Sequence, residues 1–284
     1  MIPVGFDYLR PSTVEDAVAA LAEAGDEAKV LAGGQSLMPV LRLRLNAPSL
    51  VIDLGGLSQL RGVRTDGDTL VIGAMTTHAE VAADPTVAAH ASVISRAALT
   101  VGDRQGRHRG TIGGSLAHAD PVGDLPAAVL AAGATLVAVG PNGSRQIAAG
   151  DFFTDLFTTA LAADEVLTEI HVPSMMGWSA HYEKFHRTAQ AWAVVSVAAA
   201  VRRDNGSIAE ARVALTGLGG TPVRAGAVES ALAGAAAERG AVDAAAAHAA
   251  DGTSPPSDLS GSADYRSHLA TVLTGRAVAA AAGL

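Results

Sequence analysis

The chain has 284 residues, 49% hydrophobic and 17% charged: enough apolar material for a sizeable core, length for two domains, and a composition that argues against wholesale disorder. A net charge of −8 disfavours a dominant nucleic-acid or anionic-membrane role, with Arg42 and Arg44 in RLRLNAP and Arg104, Arg107 and Arg109 in GDRQGRHRG as local exceptions. The absence of cysteine excludes disulfides, all-cysteine zinc sites and cysteine-ligated iron–sulfur clusters within the chain. MIPVGFDYLRPS has no leader-like pattern and the longest apolar stretch, 191–201, is too short to span a bilayer, so a soluble, cytoplasmic protein is expected.

In chain order, Ser12 and Glu15 form a capping-box pattern that predicts a helix with Val14, Ala17, Val18 and Leu21 on one face and Gly25 as its stop. KVLA (29–32) reads as a short buried strand that runs into a glycine pair, and Ser36 is placed to cap a following helix with Pro39 in its first turn. LVIDL (50–54) and TLVIGA (69–74) read as strands, and Thr77 and Asp84-Pro85 as helix starts. After a second glycine pair, Asp124-Leu125-Pro126 resembles an N-cap with proline behind it, ending at Gly133. TLVAVG (135–140) and RQI predict a hairpin turned by Asn142-Gly143, and EVLTEIHVP (165–173) a further strand. PSMMGWS (173–179) reads as a linker. Strands are then expected at 180–187, 191–203 and 207–217, and alanine-rich helices around 224–249 and 263–281.

The two glycine pairs, AGGQS (32–36) and TIGGS (111–115), are the informative motifs. A strand that ends in Gly-Gly at a helix start can present unpaired N–H groups, free of any Cβ, to a phosphate; Gln35, Ser36, Thr111 and Ser115 would add side-chain donors. The competing reading is a pair of tight turns, one glycine in each at positive φ. Neither loop is a GxGxxG or a Gly-Lys-Ser/Thr motif.

KVLAGGQSLMPVLRLRLNAPSLVIDL (29–54) and RGTIGGSLAHADPVGDLPAAVLAAGATL (109–136) closely resemble the two flavin signatures of the FAD-carrying medium subunit of molybdenum hydroxylases, the family of carbon monoxide dehydrogenase, xanthine dehydrogenase and bacterial N-heterocycle dehydrogenases. EVLTEIHVP and YEKFHRTAQAWAVVSVAAAV (182–201) fit the same pattern, so the resemblance covers almost the whole chain. It implies an α+β fold. A two-lobed FAD-binding domain of the PCMH/vanillyl-alcohol-oxidase type (1–175, lobes about 1–55 and 56–175) would precede a smaller α+β domain (176–284) of antiparallel strands and helices. Carried over by residue, it implies that Ala32, Gly33, Gly34, Gln35 and Ser36, with Thr111, Ile112, Gly113, Gly114 and Ser115, grip the pyrophosphate. Asp124 would contact the adenosine part, Lys184 would lie near the flavin end, and Leu167 would supply a backbone contact.

The resemblance also implies a role. FAD would take electrons from [2Fe-2S] clusters of a small subunit, fed by the molybdenum cofactor of a large subunit, in a dimer of heterotrimers. No metal and no catalytic residue are expected in this chain. A free-standing FAD-dependent oxidase and a non-catalytic nucleotide-binding module remain alternatives. Departures from the family pattern are the segment 103–111, with Gly106 and no proline, and Ala191-Trp192 where many relatives have a tyrosine. Trp192 either packs near the isoalloxazine or is a core residue between domains. His118 and Asp120 read as a hydrogen-bonded loop pair, and His181 and His186, five apart on a strand, point to opposite faces.

Overall fold

The computed structural model describes all residues, 1–284. The first lobe is a three-stranded sheet, β1 (Asp7–Leu9), β2 (Ala28–Leu31) and β3 (Leu50–Asp53), ordered β1-β3-β2 with both pairings parallel. Helix α1 (Val14–Ala24) buries Val14, Ala17, Val18 and Leu21 as its spacing predicts. Its cap is one residue later than expected. Thr13 accepts from the Asp16 N–H and Asp16 from the Thr13 N–H, because neighbouring hydroxyls and neighbouring acids offer two registers and the later one wins. Beyond β2 and the first glycine loop comes α2 (Leu37–Arg42); Ser36 holds its cap position but makes no capping bond.

The second lobe is an antiparallel sheet of order β4-β5-β10-β6-β7: β4 (Val63–Asp66), β5 (Thr69–Gly73), β6 (Thr135–Gly140), β7 (Gly143–Ala148) and β10 (Val166–Pro173). Gly140 pairs with Gly143, so the two-residue hairpin loop is Pro141-Asn142, and Gly143 already belongs to the strand. Helices α3 (His78–Ala83), α4 (Pro85–His90), α5 (Ser92–Thr100), α6 (Arg104–Arg107), α7 (Ile112–His118) and α8 (Asp124–Ala132) lie between β5 and β6. Thr77 with Glu80 and Asp84 with Pro85 start α3 and α4 as expected. α9 (Ala149–Phe152), β8 (Phe153–Asp155) and β9 (Thr158–Thr159) complete the lobe.

The remaining sheet, β11-β12-β13-β14, comprises β11 (Ser179–Phe185), β12 (Val195–Asp204), β13 (Ser207–Thr216) and β14 (Val223–Arg224), all antiparallel. It is packed by α10 (Gly226–Leu232), α11 (Arg239–Ala246) and α12 (Ala263–Ala282). The helical stretch expected around 224–249 is two helices, α10 and α11, with a break between them. Gly234 takes positive φ and donates to Ile208 O, while Ile208 donates to Ala235 O, so the segment pairs with the start of β13 instead of coiling. The long strand expected at 191–203 starts only at Val195, because Arg187–Val194 is a loop.

Period-two alternation along β12 divides one apolar run between two cores. Ala198 and Ala200 join the second lobe's core with Ala214, Ala180 and Tyr182. Val195, Val197, Ala199 and Val201 join the core under α10, α11 and α12. Every residue of α8 is buried, so it is enclosed by the second lobe on one side and by β12 and β13 on the other.

Candidate functional site

A cleft of about 750 Å³ runs along the first glycine loop, the start of α7, the N-terminus of α8 and the loop before β12. Of the fourteen residues singled out from sequence, it is lined by thirteen: Ala32, Gly33, Gly34, Gln35, Ser36, Thr111, Gly113, Gly114, Ser115, Asp124, Leu167, Lys184 and Trp192. Ile112 is the exception. Its side chain is fully buried in the second-lobe core and its N–H donates to Thr76 O at 3.0 Å, so it anchors α7 from behind.

The loops share a grammar but do different work. In the first, at the carboxyl end of β2, Gly34 has φ +74°, and the N–H groups of Gly33, Gly34, Gln35, Ser36 and Leu37 find no backbone carbonyl. Five consecutive donors beside the cleft suit an anion such as a diphosphate. The second loop has no such surplus. Thr111 caps α7 by accepting from Gly114 N at 3.1 Å, Ser115 N reaches Thr111 O, Ile112 N and Gly113 N are bonded to Thr76 O and Ala74 O just after β5, and only Thr111 N finds no acceptor. Most of the unpaired backbone donors at the cleft therefore come from the first loop, and Gly113 and Gly114 are helical, not turn, residues.

Contact distances explain the second pair. A Cβ on Gly33 would run into Arg109 O and lie 2.6 Å from Gly110 Cα; one on Gly114 would lie 3.2 Å from Ala32 Cβ, and one on Gly113 2.7 Å from Ala74 O. These glycines let the two loops and β5 touch one another, backbone to backbone. The cleft is walled by that contact.

Asp124 is the first residue of α8, not its cap, which is Gly123. Its buried carboxylate accepts from Lys184 Nζ (2.8 Å) at Oδ2 and from the Tyr182 hydroxyl (2.6 Å) at Oδ1. Lys184 Nζ also donates to Thr100 O at 3.2 Å. Tyr182 Oη has given its one proton to Asp124 and accepts from Ser196 Oγ (2.7 Å), which is bonded in turn to Thr216 Oγ1 (2.6 Å). Burial, and then the Asp124 charge, push the Tyr182 phenol well above its ordinary range, so it stays a donor. Asp124 and Lys184, expected at different parts of the cofactor, touch each other and so meet at one place in the cleft.

Trp192 sits at the rim of the cleft, 56% exposed, and is not a domain-core residue. Leu167 lies at a register shift of β10 against β6, where the ladder is interrupted between Leu167 and Glu169. His118 Nε2 is 4.0 Å from Asp120 Oδ2, and its ring stacks near Phe157 at 5.1 Å. His181 pairs with Glu183 and His186 with Thr188 O.

Sequence reasoning missed two groups. Tyr182 is two residues from Lys184 on β11, so strand alternation alone places both on one face. His78, 4% exposed, lines the cleft under the second loop; its N–H donates to Gly110 O, its Nδ1 has no partner, and burial followed by the Arg107 charge lowers its pKa to about 4. It is a neutral imidazole at neutral pH.

The free donors of the first loop, a cleft of dinucleotide scale and the absence of side chains at the loop contact all fit an FAD. Residues 4–175 match the family described as the FAD binding domain in molybdopterin dehydrogenase, and residues 180–281 the CO dehydrogenase flavoprotein C-terminal domain. The chain is 40% identical to the carbon monoxide dehydrogenase medium chain of Hydrogenophaga pseudoflava over 99% of its own length and 98% of that protein's. A solved structure of carbon monoxide dehydrogenase from the same organism, lacking the Mo-pyranopterin moiety of its molybdenum cofactor, superposes with a TM-score of 0.96 at 42% identity, covering 99% of this chain and 98% of that one. Quinoline 2-oxidoreductase from Pseudomonas putida 86 gives 0.94 at 33% identity, covering 100% and 99%. The chain belongs to the FAD-binding medium subunits of the multi-subunit molybdenum hydroxylases.

Proposed function

We propose that this chain carries FAD between the [2Fe-2S] clusters of a small partner subunit and an external electron acceptor. A large partner subunit would hold the molybdenum cofactor and oxidise the substrate, with the heterotrimers paired as dimers and working in the cytoplasm. The observation that carries the reading is the run of five unused N–H groups from Gly33 to Leu37 beside the cleft. The absence of cysteine fits the same division, since the clusters must then belong to another chain. Bound FAD supplies the ability to accept electrons singly and pass them on.

In this reading the first loop's amides hold the diphosphate, with Gln35, Ser36, Thr111 and Ser115 adding side-chain donors at its edges. Gly33, Gly113 and Gly114 keep the loops close enough for that grip. The Asp124–Lys184 pair fixes one part of the cofactor and places no net charge there, and the bulged backbone at Leu167 offers a further contact. Trp192 covers part of the mouth of the cleft and keeps water from one face of whatever lies beneath it. The division at about residue 175, with lobes 1–55 and 56–175, belongs to the same reading; the parallel sheet ending at Asp53 and the loop Ser174–Trp178 support it. Relatives named for carbon monoxide and for quinoline share this subunit, so its sequence does not choose the substrate.

The test is purification of the complex from its native cells, with visible absorption, chromatography of released cofactor and a gel of co-purifying chains. About one FAD per chain, together with an iron–sulfur and a molybdenum-bearing partner, is the expected result. FAD without partners would favour a free-standing oxidase, and an intact complex without flavin would overturn the reading.

A further inference from the structure

Behind the first glycine loop lies a second pocket of about 600 Å³, which the flavin reading does not use. Ala32–Gln35 form a wall common to both cavities. Four arginines line it, Arg10, Arg42, Arg61 and Arg109, together with His108. Its one acid, Asp53, is already engaged: Tyr8 donates to Oδ2 and Gly55 N to Oδ1.

That concentration of charge is not what the rest of the chain does with arginine. Of the eighteen arginines, eleven bond a carboxylate or a carbonyl of the chain. Seven bond nothing, and four of those seven line this one pocket, on a protein with 28 acidic residues available to pair with them. A Cβ on Gly56 would lie 2.8 Å from Arg10 Nε, so a third glycine pair, Gly55-Gly56, makes room for Arg10 to lie flat against the chain. Leu31, Met38 and Met75 give the cavity an apolar side.

We propose that this pocket is a second anion site, which takes a small molecule carrying a diphosphate with an apolar body, the chemistry of a nucleoside diphosphate. Four arginine charges against one engaged carboxylate ask for a ligand with about three negative charges, and forked guanidiniums match phosphate oxygens in pairs. The volume exceeds a bare diphosphate and leaves the Leu31–Met38–Met75 side for a flat ring. A ligand here would brace the first loop from behind while its amides face the cofactor cleft.

The experiment is calorimetric titration of the FAD-loaded full chain, and of the intact complex, with inorganic pyrophosphate and with ADP. The flavin spectrum is followed throughout. Saturable, salt-sensitive binding is expected in both preparations, tighter for ADP, with FAD retained. The Arg42→Ala/Arg61→Ala double variant, which changes two exposed side chains, should weaken it at least tenfold with FAD occupancy unchanged. Four results would overturn the proposal: no binding to the FAD-loaded chain, unchanged affinity in the double variant, release of FAD by the titrant, or binding to the chain that is lost in the complex. The last would show the arginines to be covered by an acidic face of a partner subunit.

Discussion

Lys184 Nζ and Asp124 Oδ2 lie 2.8 Å apart, joining β11 of the last sheet to the first residue of α8 across 60 positions of sequence. Both side chains are almost wholly buried, so the pair is out of reach of salt screening. Removing one partner strands the charge of the other. Lys184→Met should destabilise the chain by about 3–5 kcal/mol in chemical denaturation, whereas Asp124→Asn/Lys184→Met should recover part of the loss. Strict additivity of the two single variants would contradict a direct pair.

Tyr182→Phe removes one donor from the Asp124 carboxylate and leaves Ser196 without its acceptor. The expected cost is about 1–3 kcal/mol, read from the denaturation midpoint at unchanged slope. A variant as stable as the parent would mean that water replaces the phenol.

Gly33→Ala probes the loop contact. The added methyl meets Arg109 O and Gly110 Cα, so the loops must part, at about 1–3 kcal/mol even in flavin-free protein. Ser36→Ala and Ser115→Ala sit on the cleft without capping a helix, and should lower FAD affinity several-fold while leaving the melting temperature of the flavin-free chain in place. If Gly33→Ala lost flavin with no loss of stability, the glycine would be serving the ligand and not the loop contact.

His78 gives the structure a signed response to acid. Its folded pKa, about 4, lies below the usual 6.5, so the native state holds the neutral ring and the unfolded chain takes up the proton first. Its contribution is complete above pH 6.5 and is lost as pH falls from there towards 4, up to roughly 3 kcal/mol. In His78→Gln the stability drop between pH 7 and pH 4.5 should shrink accordingly, and an identical pH profile would mean that the ring gains a proton acceptor on folding.

Elements defined by local chemistry were readable from sequence: the strands at 29–32, 50–54 and 165–173, and the starts at Thr77 and Asp84. The cleft-lining positions were readable because the family motifs name them. Their mechanics were not. Whether Gly114 serves a ligand or the Cβ of Ala32 depends on a contact between segments some eighty residues apart. The same limit applies to Asp124, whose place beside a proline suggests a cap and whose real partners are supplied by a strand beginning at Ser179. The break in the helical stretch around 224–249 was hidden for a related reason, since nothing local reveals that its middle will hydrogen-bond to β13.

The division of β12 between two cores bears on how the molecule can be cut. A fragment ending at Trp178 would keep every residue of the two lobes, yet it would expose the side of α8 that now lies on β12 and β13, and it would leave Asp124 with neither Lys184 nor Tyr182. The reciprocal fragment would turn Ala198, Ala200 and Ala214 to water. Neither piece is a self-sufficient unit despite the linker-like sequence between them. The two halves should therefore melt in one transition, and a chain shortened to isolate the flavin portion should aggregate.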